Sequence, residues 1–308
     1  MHFTLRQLQV FVAVARQESV SRAAGQLALS QSATSTALAE LERQYGCQLF
    51  DRVGKRLNLN ALGWQLLPEA VALLEQARTI DDLLRGKSGF GSLEVGATLT
   101  IGNYLAILLI GEFMQRHPEC RVRLHVHNTE QIIQRILHHE LDLGLIEGHC
   151  QNPEIDLQFW LKDELAVFCA PDHPLARQGH ACLDELGRYA WIMREQGSGT
   201  RVTFEQAIRH YPGPLDIRLE LEHTEAIKRA VESGLGIGCI SRLALRDAFR
   251  RGSLVPVATP ELDLGRNFSF IWHSRKYQSA AMREFIERCQ RMTAGAERSD
   301  QIELPPIA

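Results

Sequence analysis

Nothing in this 308-residue chain approaches the roughly 20 consecutive apolar residues that a membrane-spanning helix needs, and runs such as residues 105–110 stop far short. The N-terminus MHFTLRQLQVF lacks an apolar core followed by a small-residue cleavage site, so no export signal is expected there. Seven cysteines, Cys47, Cys120, Cys150, Cys169, Cys182, Cys239 and Cys289, are odd in number, scattered and free of CxxC spacing. That pattern indicates neither a disulfide framework nor a zinc ribbon and fits a reducing cytoplasm. Catalytic signatures are missing as well. Residues 197–200, GSGT, are no phosphate-binding loop because the Lys after the glycine is absent. Ser198 lacks a G-x-S-x-G elbow, and no nucleophile and base can be coupled by spacing, so an enzyme is not expected. His125 and His127 alternate along a strand and share a face, but a third ligand at fixed spacing is missing, so neither metal nor cofactor is expected. His138, His139, His149 and Cys150 read as exposed or loop residues, and nothing in the sequence near Cys150 activates its thiol.

What is present starts with size: 308 residues at 45% hydrophobic composition can bury more than one core, and the length predicts about two domains. Leu5, Leu8, Val12 and Ala15 recur at helical spacing, and after Ser19 a second run carries Ala23, Ala24 and Leu27. Ser30 is a good N-cap for a third helix running to about Tyr45, with Ala33, Ala37, Leu38 and Leu41 on one face. Its other face bears Gln31, Ser32, Thr34 and Ser35. A helix entering the major groove touches base edges from its first two turns, where short hydroxyls and an amide reach donors and acceptors. Ser30, Gln31, Ser32, Thr34 and Ser35 are therefore the candidate DNA-reading residues, Gln31 first, with Arg22, Arg43, Arg52, Lys55 and Arg56 placed to neutralise phosphates. Charge is partitioned the same way. Residues 1–60 hold seven Lys or Arg against four Asp or Glu, while the remainder is net negative. Alone, that imbalance would also suit a solvated basic face.

The pattern Ala23-Ala24, Leu27, Ser30-Gln31, Ala33, Ser35, Leu38, Leu41-Glu42, Gly46, Leu49-Phe50 and Arg52 resembles the winged helix-turn-helix of LysR-type transcriptional regulators. The resemblance continues through His173-Pro174-Leu175-Ala176 and Gly234-Leu235-Gly236-Ile237 and fades after about residue 292. Two departures matter for base preference: Ser32 stands where the family often has Pro, and Thr36 with Ala37 replaces positions often filled by Arg or Gln.

Residues 53–60 read as a short hairpin wing turning at Gly54. Asn60 can cap a following helix whose Leu62, Leu66, Ala70, Leu73, Ala77, Ile80 and Leu84 step by threes and fours in a heptad-like seam. Such a helix either packs on its own domain or dimerises. Its length and its position before Gly86, Gly89 and Gly91 favour dimerisation, the use the family resemblance also implies. Beyond the glycines, strands near residues 93–97, 121–126 and 141–146 alternate with helices near 101–117 and 129–139, a βαβ series with a parallel sheet. A second series has strands near 165–170, 190–193, 217–221 and 236–240, and residues 267–273 with a helix over 279–292 return to the first unit. The fold class expected is α/β and multidomain: a winged helix-turn-helix, a long linker helix, and a two-lobed effector domain like the periplasmic binding proteins. The expected divisions are 1–60, 61–88, 89–162 plus 268–293 for the first lobe, 163–267 for the second, and a loosely held tail over 294–308.

In open α/β sheets, ligands sit beyond the carboxyl ends of strands, where helix N-termini present free amides. Three such turns carry hydroxyls: Thr98 with Thr100, Gly197-Ser198-Gly199-Thr200, and Thr224. Each alone has an ordinary reading as an N-cap; their convergence makes a candidate anion cleft. The candidate effector residues are Thr98, Thr100, Glu147, Gly197, Ser198, Thr200 and Thr224, with Glu147 reading equally as a surface or hinge residue. Residues 98–104, 146–148 and 197–201 resemble a LysR branch tied to sulfur and one-carbon assimilation, which implies a small oxygenated effector such as a sulfur oxyanion. The function expected is a regulator of transcription that binds double-stranded DNA as a homodimer or homotetramer, answers to a small anion and works on RNA polymerase. A transporter's solute-binding protein would suit the two lobes, but the basic N-terminal unit and the missing export signal oppose it.

Overall fold

Thr4 opens the first helix: its hydroxyl accepts the Gln7 N–H at 3.2 Å while the Gln7 side chain accepts the Thr4 N–H at 2.8 Å, a reciprocal box. The structure is a computed structural model that describes residues 2–53, 56–84, 90–211 and 213–302. Its head comprises α1 (Leu5–Gln17), α2 (Val20–Gln26) and α3 (Gln31–Tyr45). Ser19 and Ser30 cap the second and third helices through the N–H groups of Arg22 and Ala33. Gly46, at φ 60°, takes the left-handed turn that ends α3. An antiparallel hairpin of β1 (Phe50–Val53) and β2 (Arg56–Leu59) forms the wing, and the expected turn at Gly54 and Lys55 lies outside the described residues.

Asn60 caps α4 (Ala61–Leu84) by accepting the Gly63 N–H at 2.9 Å. Residues 85–89, which carry the expected end of the linker, are outside the described residues. Two apolar stripes divide this helix. Leu67, Ala70, Val71 and Leu74 are buried with Val10, Phe11, Val14, Leu38, Leu41 and Leu49 in the head's own core. Leu62, Leu73, Ile80 and Leu84, members of the seam, face solvent.

The α/β part continues with β3 (Ser92–Thr98), α5 (Leu99–Ile101), a wider π-turn over Gly102–Ala106, α6 (Ile107–Arg116), β4 (Arg121–His127), α7 (Thr129–Leu137) and β5 (Leu143–Glu147). Then come β6 (Ile155–Cys169), α8 (Pro174–Gln178), α9 (Leu183–Leu186), β7 (Ala190–Arg194), α10 (Gly199–Ala207), β8 (Asp216–Leu221) and α11 (Thr224–Glu232). The chain closes with β9 (Ile237–Ser241), α12 (Arg242–Arg251), β10 (Val255–Val257), β11 (Gly265–His273) and α13 (Ala280–Met292). Strand order is β4-β3-β5-β11-β6-β9-β7-β8, with β10 added to β6. The strands β3, β4 and β5 pair in parallel in the first lobe, and β7, β8 and β9 do so in the second. The long strands β6 and β11 run antiparallel to their neighbours and are the two crossings between lobes, and the short β10 pairs antiparallel with β6. The first lobe's core joins Val95, Phe113, Leu143, Phe268 and Phe285; the second is filled by Val167, Trp191, Phe204 and Ile237 on one face and Phe168, Ile227 and Val231 on the other. Each fully buried side chain of this size contributes about 1.5–3 kcal/mol.

Several expectations change. β6 starts ten residues before the strand expected at 165–170, and β10, which includes Pro256, is an additional strand. Proline is tolerated there because β10 pairs on one side only, with β6. The tail is not loose as far as Ile302: the Trp160 indole donates to Thr293 at 2.9 Å, Arg246 donates to the Ile302 carbonyl at 2.8 Å, and the Ile302 side chain is buried. Residues 303–308 lie outside the described residues. His139, expected to be exposed or in a loop, is buried in the left-handed conformation at φ 54° and stacks on His273 at 4.2 Å. Desolvation first, then the neighbouring His273, lowers its pKa to about 3. Among the described residues, no helix is long and apolar enough to cross a membrane.

Candidate functional site

The N-terminal turns of α3 present Ser30, Gln31, Ser32 and Ser35 to solvent, and Arg22, Arg43, Arg52 and Arg56 are exposed around them. Lys55 lies outside the described residues. Thr34 is a correction. It is fully buried, and its hydroxyl donates to the Ser30 carbonyl at 3.0 Å, so it cannot reach a base. The inward stripe of α3 is Thr34, Leu38 and Leu41, whereas Ala33 faces out.

In the α/β domain, the ends of β3 and β5 and the start of α10 bring Thr98, Thr100, Glu147 and Thr200 together in the closed seam between the lobes. Glu147, expected as ligand contact, surface or hinge residue, is buried, and its carboxylate accepts hydroxyl protons from Thr98 at 2.9 Å, Thr100 at 3.1 Å and Thr200 at 3.4 Å. The position expected to hold an external anion holds the protein's own. Arg266, on β11, stands 3.6 Å from Glu147, donates to Asp163 at 2.6 Å and to Thr200 at 2.9 Å, and has no exposed side-chain surface. Burial opposes its charge most strongly, but Glu147 and Asp163 outweigh that and raise its pKa. Asp163 also accepts the Ser241 hydroxyl at 2.7 Å and that of Ser299.

Ser198 and Thr224 differ. Their hydroxyls, in residues 1% and 2% exposed, have no hydrogen-bond partner, although each sits at the N-terminus of a nine-residue helix, α10 or α11. Leaving a buried hydroxyl unpaired costs about 1–3 kcal/mol. Near these helix starts lies a cavity of about 290 Å³ lined by Asn103, Asn128 and Gln131 of the first lobe and Glu195, Glu222 and His223 of the second. Direct bonds hold the lobes shut beside it: the Gly199 N–H donates to Thr129 at 3.1 Å, the Glu130 N–H to the Gly197 carbonyl at 3.2 Å, and the Tyr104 hydroxyl to Glu225. Lys228 completes the last contact, 2.6 Å from Glu225.

Chain-wide comparison gives this geometry its setting. The model of the bacterial regulatory helix-turn-helix protein, lysR family, matches residues 5–64, and that of the LysR substrate binding domain matches residues 87–294. The chain belongs to the LysR family of transcriptional regulators. This LysR-type regulator is 44% identical over 289 residues to the uncharacterized HTH-type transcriptional regulator YeiE of Escherichia coli, an alignment covering 94% of this chain and 98% of that one. A full-length OxyR variant from Pseudomonas aeruginosa shares the fold at a TM-score of 0.74 and 22% identity, over 99% of this chain and 100% of its own. The regulatory domain of CcmR from Synechocystis PCC6803, solved in complex with 2-PG, is 31% identical with a TM-score of 0.62, over 67% of this chain and 98% of that domain.

Residues that sequence reasoning missed in this LysR-type regulator include Arg266, Asp163, Thr129 and Tyr104. Arg266 had a signal: it is the one cation in the strand GRNFSFIWH before its terminal His, and a lone charge in an apolar strand asks for a buried partner. His125 is engaged by Glu94 at 2.8 Å, and among the described residues no group of three or more His, Cys, Asp or Glu is placed to hold a metal ion. Burial raises the Cys150 thiol pKa, which does not favour the reactive thiolate.

Proposed function

We propose that this LysR-type regulator reads double-stranded DNA with Ser30, Gln31, Ser32 and Ser35, braces the phosphates with Arg22, Arg43, Arg52, Lys55 and Arg56, and senses a small oxyanion between its lobes. The single observation that carries the sensing half is the pair of orphan buried hydroxyls, Ser198 and Thr224, at two helix N-termini near one cavity. Helix N-termini with free donors favour anions, and a sulfur oxyanion is the class favoured. Thr98, Thr100, Glu147, Gly197 and Thr200 complete the proposed effector region on the seam between the lobes. The divisions at residues 60, 88, 162 and 268 describe a head, a linker and two lobes. The outward stripe of α4 is the face that a second copy covers in a homodimer, which homotetramers extend. The protein acts in the cytoplasm, with RNA polymerase as the machinery it influences.

Melting the full chain against sulfite, sulfate, thiosulfate and small carboxylates tests the site. A ligand at a hundred times its dissociation constant adds about 2.7 kcal/mol, enough for a shift of a few degrees. Ser198→Ala with Thr224→Val should leave the free protein as stable or more so, since each removes an unpaired group, yet weaken the ligand about 10- to 100-fold. An unchanged ligand shift in that double variant would remove the assignment. On the DNA side, Gln31→Ala should lose about 1–3 kcal/mol of discrimination at one base position of an operator selected in vitro. Arg52→Ala should weaken all sequences alike and reduce the salt slope by about one. Gel shifts at several salt concentrations separate the two, and unchanged binding in both would put the DNA-reading surface elsewhere.

A further inference from the structure

The head meets the first lobe through a polar joint. Lys276, just beyond β11, is buried to 4% side-chain exposure, and its ammonium pairs with Glu75 of α4 and, at 2.6 Å, with Asp142 ahead of β5. Asp142 is itself held by the Glu94 N–H at 2.7 Å. From α1, Arg16 donates to the carbonyl of His139. These contacts are not saturated: the second Glu75 oxygen and the Arg16 Nε are buried without partners. Elsewhere along the same contact the Trp64 ring of α4 stands 5.8 Å from that of His138, with open spaces of about 330 and 570 Å³ beside it. Burial pushes the Glu75 carboxyl above the usual carboxylate range even beside Lys276. An interface of this kind is specific but shallow, because charge pairs offset their own desolvation only in part.

Its position gives it a use. β5 and β11 are hydrogen-bonded antiparallel from Phe268 opposite Glu147 to Ile271 opposite Gly144. This strand pair forms a rod inside the sheet, flanked by β3 and β6; one of its ends carries Glu147 and Arg266 in the seam between the lobes, and the other carries Asp142 and Lys276 at the linker helix. At about 3.3 Å per residue, the rod spans the roughly 17 Å of β5 without a break. Resting on the reading of this protein as an effector-controlled DNA-binding regulator, we infer that the Lys276–Glu75–Asp142 joint is a latch. Movement of the lobes at the Glu147–Arg266 end tilts the rod, parts Lys276 from Glu75, and frees the head to change its angle on DNA.

The test uses full-length protein and charge reversal, Glu75→Lys and Lys276→Glu, singly and together, without any ligand. Each single reversal should speed amide exchange over residues 61–76 by about tenfold or more and change the bend angle of bound operator DNA, measured by energy transfer between its ends. The double reversal should restore both in part, because the pair between positions 75 and 276 re-forms with its signs exchanged while Asp142 loses its cation. If a reversal impairs folding, Lys276→Met provides the same loss of contact without the like charge. Loosened exchange with an unchanged bend angle would overturn the latch, as would wild-type exchange in both single variants. Wild-type binding of operator in the same assay scores the regulator reading separately, so unchanged bending on bound DNA sinks the latch alone.

Discussion

Arg266→Met should lower the unfolding free energy of the α/β domain by about 3–5 kcal/mol, the loss expected when one partner leaves a buried ionic group. The guanidinium answers two carboxylates at once, Glu147 at 3.6 Å and Asp163 at 2.6 Å, and none of the three side chains is more than 2% exposed. Methionine fills much of the same volume, so the effect reads charge and hydrogen bonding more than a cavity. Three threonine hydroxyls and two serine hydroxyls would remain on the stranded carboxylates, but they cannot supply a countercharge. Adding Glu147→Gln and Asp163→Asn to Arg266→Met should recover most of the loss, because the uncompensated charges go. Urea unfolding followed by the fluorescence of Trp160 and Trp191, both buried in this domain, measures it. A single-variant loss below about 1 kcal/mol would mean that water reaches the seam and screens it.

Gly199→Ala should prop the lobes apart. A Cβ built on Gly199 would stand 2.3 Å from the Glu147 carbonyl oxygen and 2.6 Å from the Thr129 hydroxyl oxygen, distances that packed atoms do not tolerate. One of those neighbours is backbone, so it cannot swing away as a long side chain would. The expected result is a domain destabilised by about 1–3 kcal/mol, as for other overpacked sites, with a larger radius of gyration in X-ray scattering and a weakened response to any ligand that needs the closed seam. Gly25→Ala is the control, since a Cβ there meets nothing within 4 Å. An envelope and melting point equal to wild type in Gly199→Ala would show that the two lobes do not close against each other here in solution.

How far these features could be read beforehand depends on where their partners lie in the chain. The head was legible because its determinants are local: Ser30 and Asn60 cap the helices that follow them, and Gly46 ends one. Thr34 was misjudged because a back-bonding threonine looks polar in a sequence while its methyl and carbonyl-bound hydroxyl sit happily inside. The first half of β6 was hidden because Lys162, Asp163 and Glu164 interrupt its apolar pattern; Asp163 can be buried only because Arg266 and Ser299 arrive from more than 100 residues away. The sequence grouped the hydroxyls of three turns as candidates. Their directions were not legible there, since Thr98, Thr100 and Thr200 turn to Glu147 while Ser198 and Thr224 turn to no partner, and only the assembled lobes decide which does which.

The tethered Glu147 carboxylate has a consequence for selectivity. A side chain fixed among its donors is present at an effective concentration far above that of a dilute free ion, as intramolecular partners are. An abundant inorganic anion would have to displace that carboxylate to reach the threonines and Arg266, which are already engaged. On the effector reading proposed above, a ligand has to gain enough at the unpaired Ser198 and Thr224 hydroxyls to stand out against that ionic background. In that reading the internal carboxylate sets the noise floor of the proposed sensor.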